Sequence, residues 1–129
     1  MLVSIVLSAF TFLPQSVELI RAGVMDTIEL EGEKAVKFSE DVLFTIHGKE
    51  LNCNLALFLH NKTLTGSGHI VFRPGPDLTI TAQEFTYDAR KDVVHFSSKV
   101  QVKAQKTTGY TSLIYSFKTN SIQSSTPVE

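Results

Sequence analysis

Leu78-Thr79-Ile80-Thr81-Ala82-Gln83-Glu84-Phe85-Thr86-Tyr87-Asp88, followed by Ala89-Arg90-Lys91-Asp92 and then Val93-Val94-His95-Phe96-Ser97-Ser98-Lys99-Val100-Gln101-Val102, decides the reading of the whole chain. Apolar and polar residues alternate. Leu78, Ile80 and Ala82 fall on one face, then Phe85 and Tyr87, and after a polar turn Val94, Phe96, Val100 and Val102. Period-two patterning bounded by turn residues is the signature of paired strands. The phase slips once, at Gln83-Glu84. An extra residue there predicts a β-bulge that bends the strand and re-aims its side chains.

Working outward, the pattern recurs. Ser39-Glu40-Asp41-Val42, Ser67-Gly68-His69-Ile70, Ser97-Ser98-Lys99-Val100 and Ser125-Thr126-Pro127-Val128 each follow an apolar-rich run. Their last residues are 28, 30 and 28 positions apart. A fixed period of this size predicts stacked supersecondary units that bury a core only together. Each unit reads as strand, hairpin turn, strand and a short step into the next. The expected fold class is all-β, built of stacked antiparallel hairpins.

The remaining segments fit this scheme. Val42-Leu43-Phe44-Thr45-Ile46 is a predicted strand with Val42, Phe44 and Ile46 on one face, and His47-Gly48-Lys49-Glu50 is its turn. Leu51–Leu59 sets Leu51, Cys53, Leu55, Leu57 and Leu59 in one row, with Asn52 and Asn54 opposite. Asn61-Lys62-Thr63 reads as a turn more than as a glycosylation sequon. Ile70-Val71-Phe72 is a strand, and Pro74-Gly75-Pro76-Asp77 a rigid turn. Lys103–Gly109 is polar. Tyr110–Phe117 repeats the earlier pattern, with Leu113 and Tyr115 28 residues after Phe85 and Tyr87.

Residues 1–14 hold no charged side chain, and Leu2–Leu13 is nearly all apolar. Twelve residues fall short of the roughly 20 that span a bilayer. An export signal, a short membrane anchor and a first buried element all fit. Val17–Arg21 fits a helical turn or a strand, and Thr27–Glu31 alternates as a strand. The expected division is an apolar N-terminal segment over 1–23 and a β-domain over 24–129.

Composition narrows the function. The net charge of −1 argues against a general nucleic-acid binder, which carries a basic face. One cysteine, Cys53, rules out an internal disulfide framework and a cysteine-based zinc site. It stands in register with core residues and reads as a small buried side chain. His47, His60, His69 and His95 fall at turns or opposite the apolar rows, where they read as solvated. No catalytic constellation, metal-ligand spacing or cofactor loop is present, so the chain reads as a non-enzyme with no cofactor.

These residues carry a resemblance. The marks LTITAQEFTYD…DVVHFSSKVQV and LTGSGHIVF, over about residues 27–129, resemble the OstA-like repeat of periplasmic lipopolysaccharide-transport proteins. That repeat builds both the soluble bridge component and the inner-membrane-anchored one. The N-terminal apolar segment before a small domain favours the second. The resemblance implies an open, twisted β-jellyroll in the periplasm, whose groove holds the acyl chains of lipopolysaccharide. It also implies edge-to-edge joining with partner jellyrolls, and association with the inner membrane as one reading of the N-terminal segment.

Apolar grooves suit acyl chains on general grounds, at about 0.8 kcal/mol per buried methylene. The groove candidates are Val36, Phe38, Val42, Phe44, Leu55, Leu57, Ile70, Phe72, Ile80, Phe85, Tyr87, Val94, Phe96, Val100, Val102, Leu113 and Tyr115. The same residues would serve as plain core. The competing reading is a structural β-solenoid with a filled interior that self-assembles through its strand edges. A last unit ending at Val128 predicts an unpaired edge, blunted by Pro127 or used for strand addition.

Overall fold

A computed structural model describes residues 14–30, 32–59 and 63–127. The described residues form nine strands: β1 Val17–Arg21, β2 Val24–Leu30, β3 Glu33–Ile46, β4 Lys49–Leu59, β5 Thr63–Gly75, β6 Leu78–Asp88, β7 Val93–Lys103, β8 Thr107–Ser116 and β9 Ser121–Pro127. All join one antiparallel sheet in the order β1-β3-β4-β5-β6-β7-β8-β9, with β2 also pairing β3. No helix among the described residues is long and apolar enough to cross a membrane. The expected all-β, antiparallel architecture is what the chain forms.

The sheet bends along one line, and the repeat explains it. β3, β5 and β7 each carry two successive residues in the left-handed region: Glu40-Asp41, Gly68-His69 and Ser98-Lys99, at φ between 49° and 81°. These are the middle residues of the first three Ser-x-x-Val/Ile motifs. The step between units thus lies inside a strand rather than between hairpins. The even strands answer with a stride of three between inward residues: Cys53 to Ala56, Ala82 to Phe85, Tyr110 to Leu113. Pairing registers slip at each crossing, including the predicted slip between Thr81 and Glu84. Bulges of this kind sharpen the local bend. The corresponding pair in β9, Thr126-Pro127, does not take left-handed backbone; Val128 lies outside the described residues.

The bend divides the sheet into two leaves. Leaf one holds β1 and the segments of β3 to β8 around Phe44, Leu51, Phe72, Ile80 and Val102. Leaf two holds β2, most of β9 and the segments around Phe38, Ala56, Phe85, Phe96 and Leu113. The leaves face each other. The Phe72 ring of leaf one lies 5.6 Å from Phe96 and 5.3 Å from Tyr115 of leaf two, and Phe38 meets Phe44 edge-on across the bend at 5.3 Å. Edge-to-face pairs add about 0.5–1.5 kcal/mol each beyond area burial. Their facing side chains make the single core.

Two expectations need correction. β1 is a strand whose Val17 and Leu19 are buried in this core, so the sheet begins before residue 24. In β4 the apolar row does not stay on one face. The stride at Asn54-Leu55 turns Leu55, Leu57 and Leu59 outward and brings Ala56 and Phe58 inside.

Glycines mark the tightest places. A Cβ on Gly66 would sit 2.2 Å from the Phe85 ring, and one on Gly68, at φ 81°, would sit 2.8 Å from the Asn54 amide. Gly75 has open space around it. Gly66→Ala should therefore cost about 1–3 kcal/mol by overpacking, read as a lower urea midpoint. Gly75→Ala should stay within about 0.5 kcal/mol of the parent. Equal effects would contradict this reading of the Phe85–Gly66 contact.

Candidate functional site

Directly paired residues on antiparallel strands share a face, so the registers sort every groove candidate. In leaf two one inward row runs Met25, Phe38, Ala56, Gly66, Phe85, Phe96, Leu113. The next runs Thr27, Val36, Phe58, Leu64, Tyr87, Val94, Tyr115, Ile122. In leaf one the row is Leu19, Phe44, Leu51, Phe72, Ile80, Val102. Val42, Ile70, Ala82 and Val100 line the bend beside it. Fifteen of the seventeen candidates thus point into the space between the leaves. Leu55 and Leu57 do not. They pair with Ser39 and Ser67, and with Lys37 and Thr65, on the outer face. There they rim a depression of about 250 Å3 with Thr86 and Glu84.

The inner space is filled. Phe38, Val42, Phe44, Ile70, Phe72, Ile80, Val94 and Phe96 have no exposed surface. Inward side chains become accessible only towards the sheet margins. Met25 and Val36 lie half-buried on the β2–β3 side, and Tyr110 on the β8 side. The site is therefore a trough whose walls meet along its middle and part at the edges.

Where turns of the two leaves meet, it is closed by a joint that alternation alone does not reveal. Phe117, in the turn between β8 and β9, is only 6% exposed. Its ring lies 5.3 Å from Tyr115, 5.7 Å from Tyr87, 5.8 Å from Phe72 and 5.2 Å from the His47 imidazole. A polar chain covers it. The Tyr87 hydroxyl donates to Asp92 Oδ1 at 2.7 Å and accepts from the Ser16 hydroxyl at 2.7 Å. His47 Nε2 donates to both Asp92 oxygens at 2.8 and 2.9 Å. The Phe117 amide donates to the Asp92 carbonyl, and the His47 amide to the Ser16 carbonyl. His47 and Asp92 both take left-handed backbone, at φ 52° and 59°. Non-glycine residues held there cost about 1–3 kcal/mol each, met by surrounding contacts. His47 is thus tied into a joint while its side chain stays exposed, as are His69 and His95; His60 lies outside the described residues.

Burial governs the titrating groups. It pushes the Tyr87 hydroxyl well above the usual phenol range; the Ser16 hydrogen bond opposes this and the Asp92 carboxylate adds to it. Burial also raises Tyr115. It pushes the Cys53 thiol up to about 12, against a smaller opposing backbone hydrogen bond at Leu55. A buried thiol of that kind is inert as a nucleophile. Among the described residues no group of three or more His, Cys, Asp or Glu could hold a metal.

The sign of the pH effect follows. Above about pH 9 the unfolded chain loses protons from these groups while the folded chain keeps them. Stability should hold to about pH 9 and then fall as pH rises towards 12. Urea midpoints across that range should drop, less steeply in Cys53→Ala; a midpoint that rose with pH would contradict the burial of these groups.

Comparison with known proteins comes down on the same architecture. The model of the OstA-like protein family matches residues 14–122. No curated protein sequence matches the chain. Among solved structures, it is similar to LptH, the LptA-homologous periplasmic component of the lipopolysaccharide transport device of Pseudomonas aeruginosa. The TM-score is 0.65 at 14% identity, over 85% of this chain and 82% of that one. At that identity the likeness is one of fold: the same kind of bent antiparallel jellyroll. The match over residues 14–122 takes in β1 through β8 and the joint at Phe117, and the chain belongs to the OstA-like protein family.

Proposed function

We propose that this chain is a periplasmic lipopolysaccharide-transport module. The trough between its leaves takes lipid acyl chains, and its outer strands join partner jellyrolls. The observation that carries this is the inner surface itself. Apolar rows run unbroken across successive strands from β1–β3 to β8, without a charged residue among their buried members. A surface continuous across strands suits long aliphatic chains, because each methylene gains about 0.8 kcal/mol wherever along it the chain lies.

The edges support the second half. Among the described residues β9 has a partner only in β8, and β1 and β2 only in β3. Each leaves one row of backbone groups for strand addition. β9 is polar and exposed, and only its last described residue, Pro127, lacks a donor. Residues 1–13 lie outside the described residues, so attachment to the inner membrane through them stays part of the proposal.

The filled interior favours a second reading: a structural jellyroll that assembles through its edges and carries no lipid. Lipid capture separates the two. The protein purified from a lipopolysaccharide-containing host should carry lipid A detectable by mass spectrometry. A benzoylphenylalanine crosslinker should capture it at Val36 or Phe96, on the inner face, and not at outward Leu57. Absence of lipid A together with no capture at either inward position would decide for the structural reading. Capture at Leu57 alone would move the lipid to the outer face.

A further inference from the structure

The joint at Phe117 does more than cover the core. It gathers chain segments distant in sequence: the approach to β1 at Ser16, the β3–β4 turn at His47, the β6–β7 turn at Asp92 and the β8–β9 turn at Phe117. The two leaves meet here through polar contacts, whereas along the trough they meet through buried apolar side chains. The side chains of His47 and Asp92 are 42% and 21% exposed, so water competes for their contact. Outside them lies a cleft of about 500 Å3, bordered by Gln15, Arg90 and Lys118.

These facts give the joint a particular mechanics. Parting the leaves here lifts the Phe117 ring from Phe72, Tyr87 and Tyr115. Water takes over the exposed hydrogen bonds as it does so, which lets such a contact open below the cost of global unfolding. His47 and Asp92 also relax from left-handed backbone when they separate. The cleft gives the turn room to move, and what Phe117 uncovers is Phe72, Tyr87 and Tyr115, members of the inner rows.

We propose that this joint is a gate. The Ser16–Tyr87–Asp92–His47 chain latches Phe117 across the seam where turns of the two leaves meet, and its release lets an acyl chain pass between the leaves there. The inference rests on the lipid-carrying reading above and adds where the chain passes and what holds the passage shut.

The test uses the full chain and cis-parinaric acid, a fluorescent 18-carbon fatty acid, as the probe. Asp92→Asn weakens the latch and Phe117→Ala removes the ring. Each should take up the probe about tenfold faster than the parent, the order expected from losing a charged hydrogen bond. The parent brought to the same overall stability with urea should change far less. Should the urea-treated parent match the variants, general loosening explains uptake and the gate is wrong. Equal uptake by parent and both variants also overturns it, and leaves the lipid reading standing. No uptake by any of the three removes the lipid reading and the gate together.

A ligand-free measurement covers the case in which Phe117→Ala does not fold. In the parent, the amides of His47 and Phe117 should exchange hydrogen together, through an opening smaller than global unfolding. Exchange of both only on global unfolding would show that the joint does not open by itself.

Discussion

Everything in this fold depends on a backbone constraint repeated three times. Two consecutive residues in β3, β5 and β7 take left-handed φ, and the strands between them lengthen their stride to keep pace. Without that line the sheet would be a long twisted ribbon, with one apolar face exposed to water. With it, the face folds onto itself and Phe72 reaches Phe96 and Tyr115. The constraint is costly, because Glu40, Asp41, His69, Ser98 and Lys99 all carry a Cβ that left-handed backbone disfavours. Glycine and polar or charged residues fill these positions, at the outer corner of the bend, and none of them is β-branched. The core gained on either side outweighs the strain.

That arrangement creates a tension with carrying a ligand. A sheet folded over an apolar face closes on itself unless something fills the space. Phe44, Phe72, Ile80 and Phe96 fill it here. Under the proposed lipid-carrying function such a trough would bind by exchange: acyl chains would enter as the leaves separate and take over contacts that the leaves make with each other. Affinity is then the difference between two apolar packings, much smaller than the gross burial of a lipid chain. Such a difference suits a carrier that must release its cargo to a neighbour. The same logic locates mobility at the ends and margins, where Met25, Val36 and Tyr110 are already half-open and where the joint at Phe117 is held by wet polar contacts.

Much of this was legible in the sequence, for reasons that can be traced. Alternation placed Phe85, Tyr87, Val94 and Phe96 correctly because each lies in a straight half-strand, away from the bend. The doublet Gln83-Glu84 betrayed its own bulge by breaking that alternation. β4 misled because leucine stands on both faces. Leu51, Cys53, Leu55, Leu57 and Leu59 alternate so well that the stride at Asn54 left no mark in hydropathy. The repeat held the missing signal. Ala56 and Phe58 stand 29 residues before Phe85 and Tyr87, so alignment of the units places them inside and turns Leu55 and Leu57 out. The Ser-x-x-Val motifs were visible but took the wrong meaning. A pair of turn-prone residues inside a strand and a pair between strands look alike until the pairing partners are known.

The joint had no such signature, because it is made by non-repeating positions. Ser16 precedes the first strand, and His47, Asp92 and Phe117 occupy three turns whose sequences differ. Period-based reading treats turns as connectors and assigns their polar residues to solvent. Only the folding of leaf one over leaf two brings the β3–β4 turn to the β6–β7 and β8–β9 turns, and that contact depends on how far the sheet bends and twists. The bend is thus responsible for both halves of the molecule's design. Its repeated part lines the trough with interchangeable apolar side chains. Its overall angle sets down a non-repeating polar joint over Tyr87, a member of the inner rows whose hydroxyl reaches out of the core to water-facing partners.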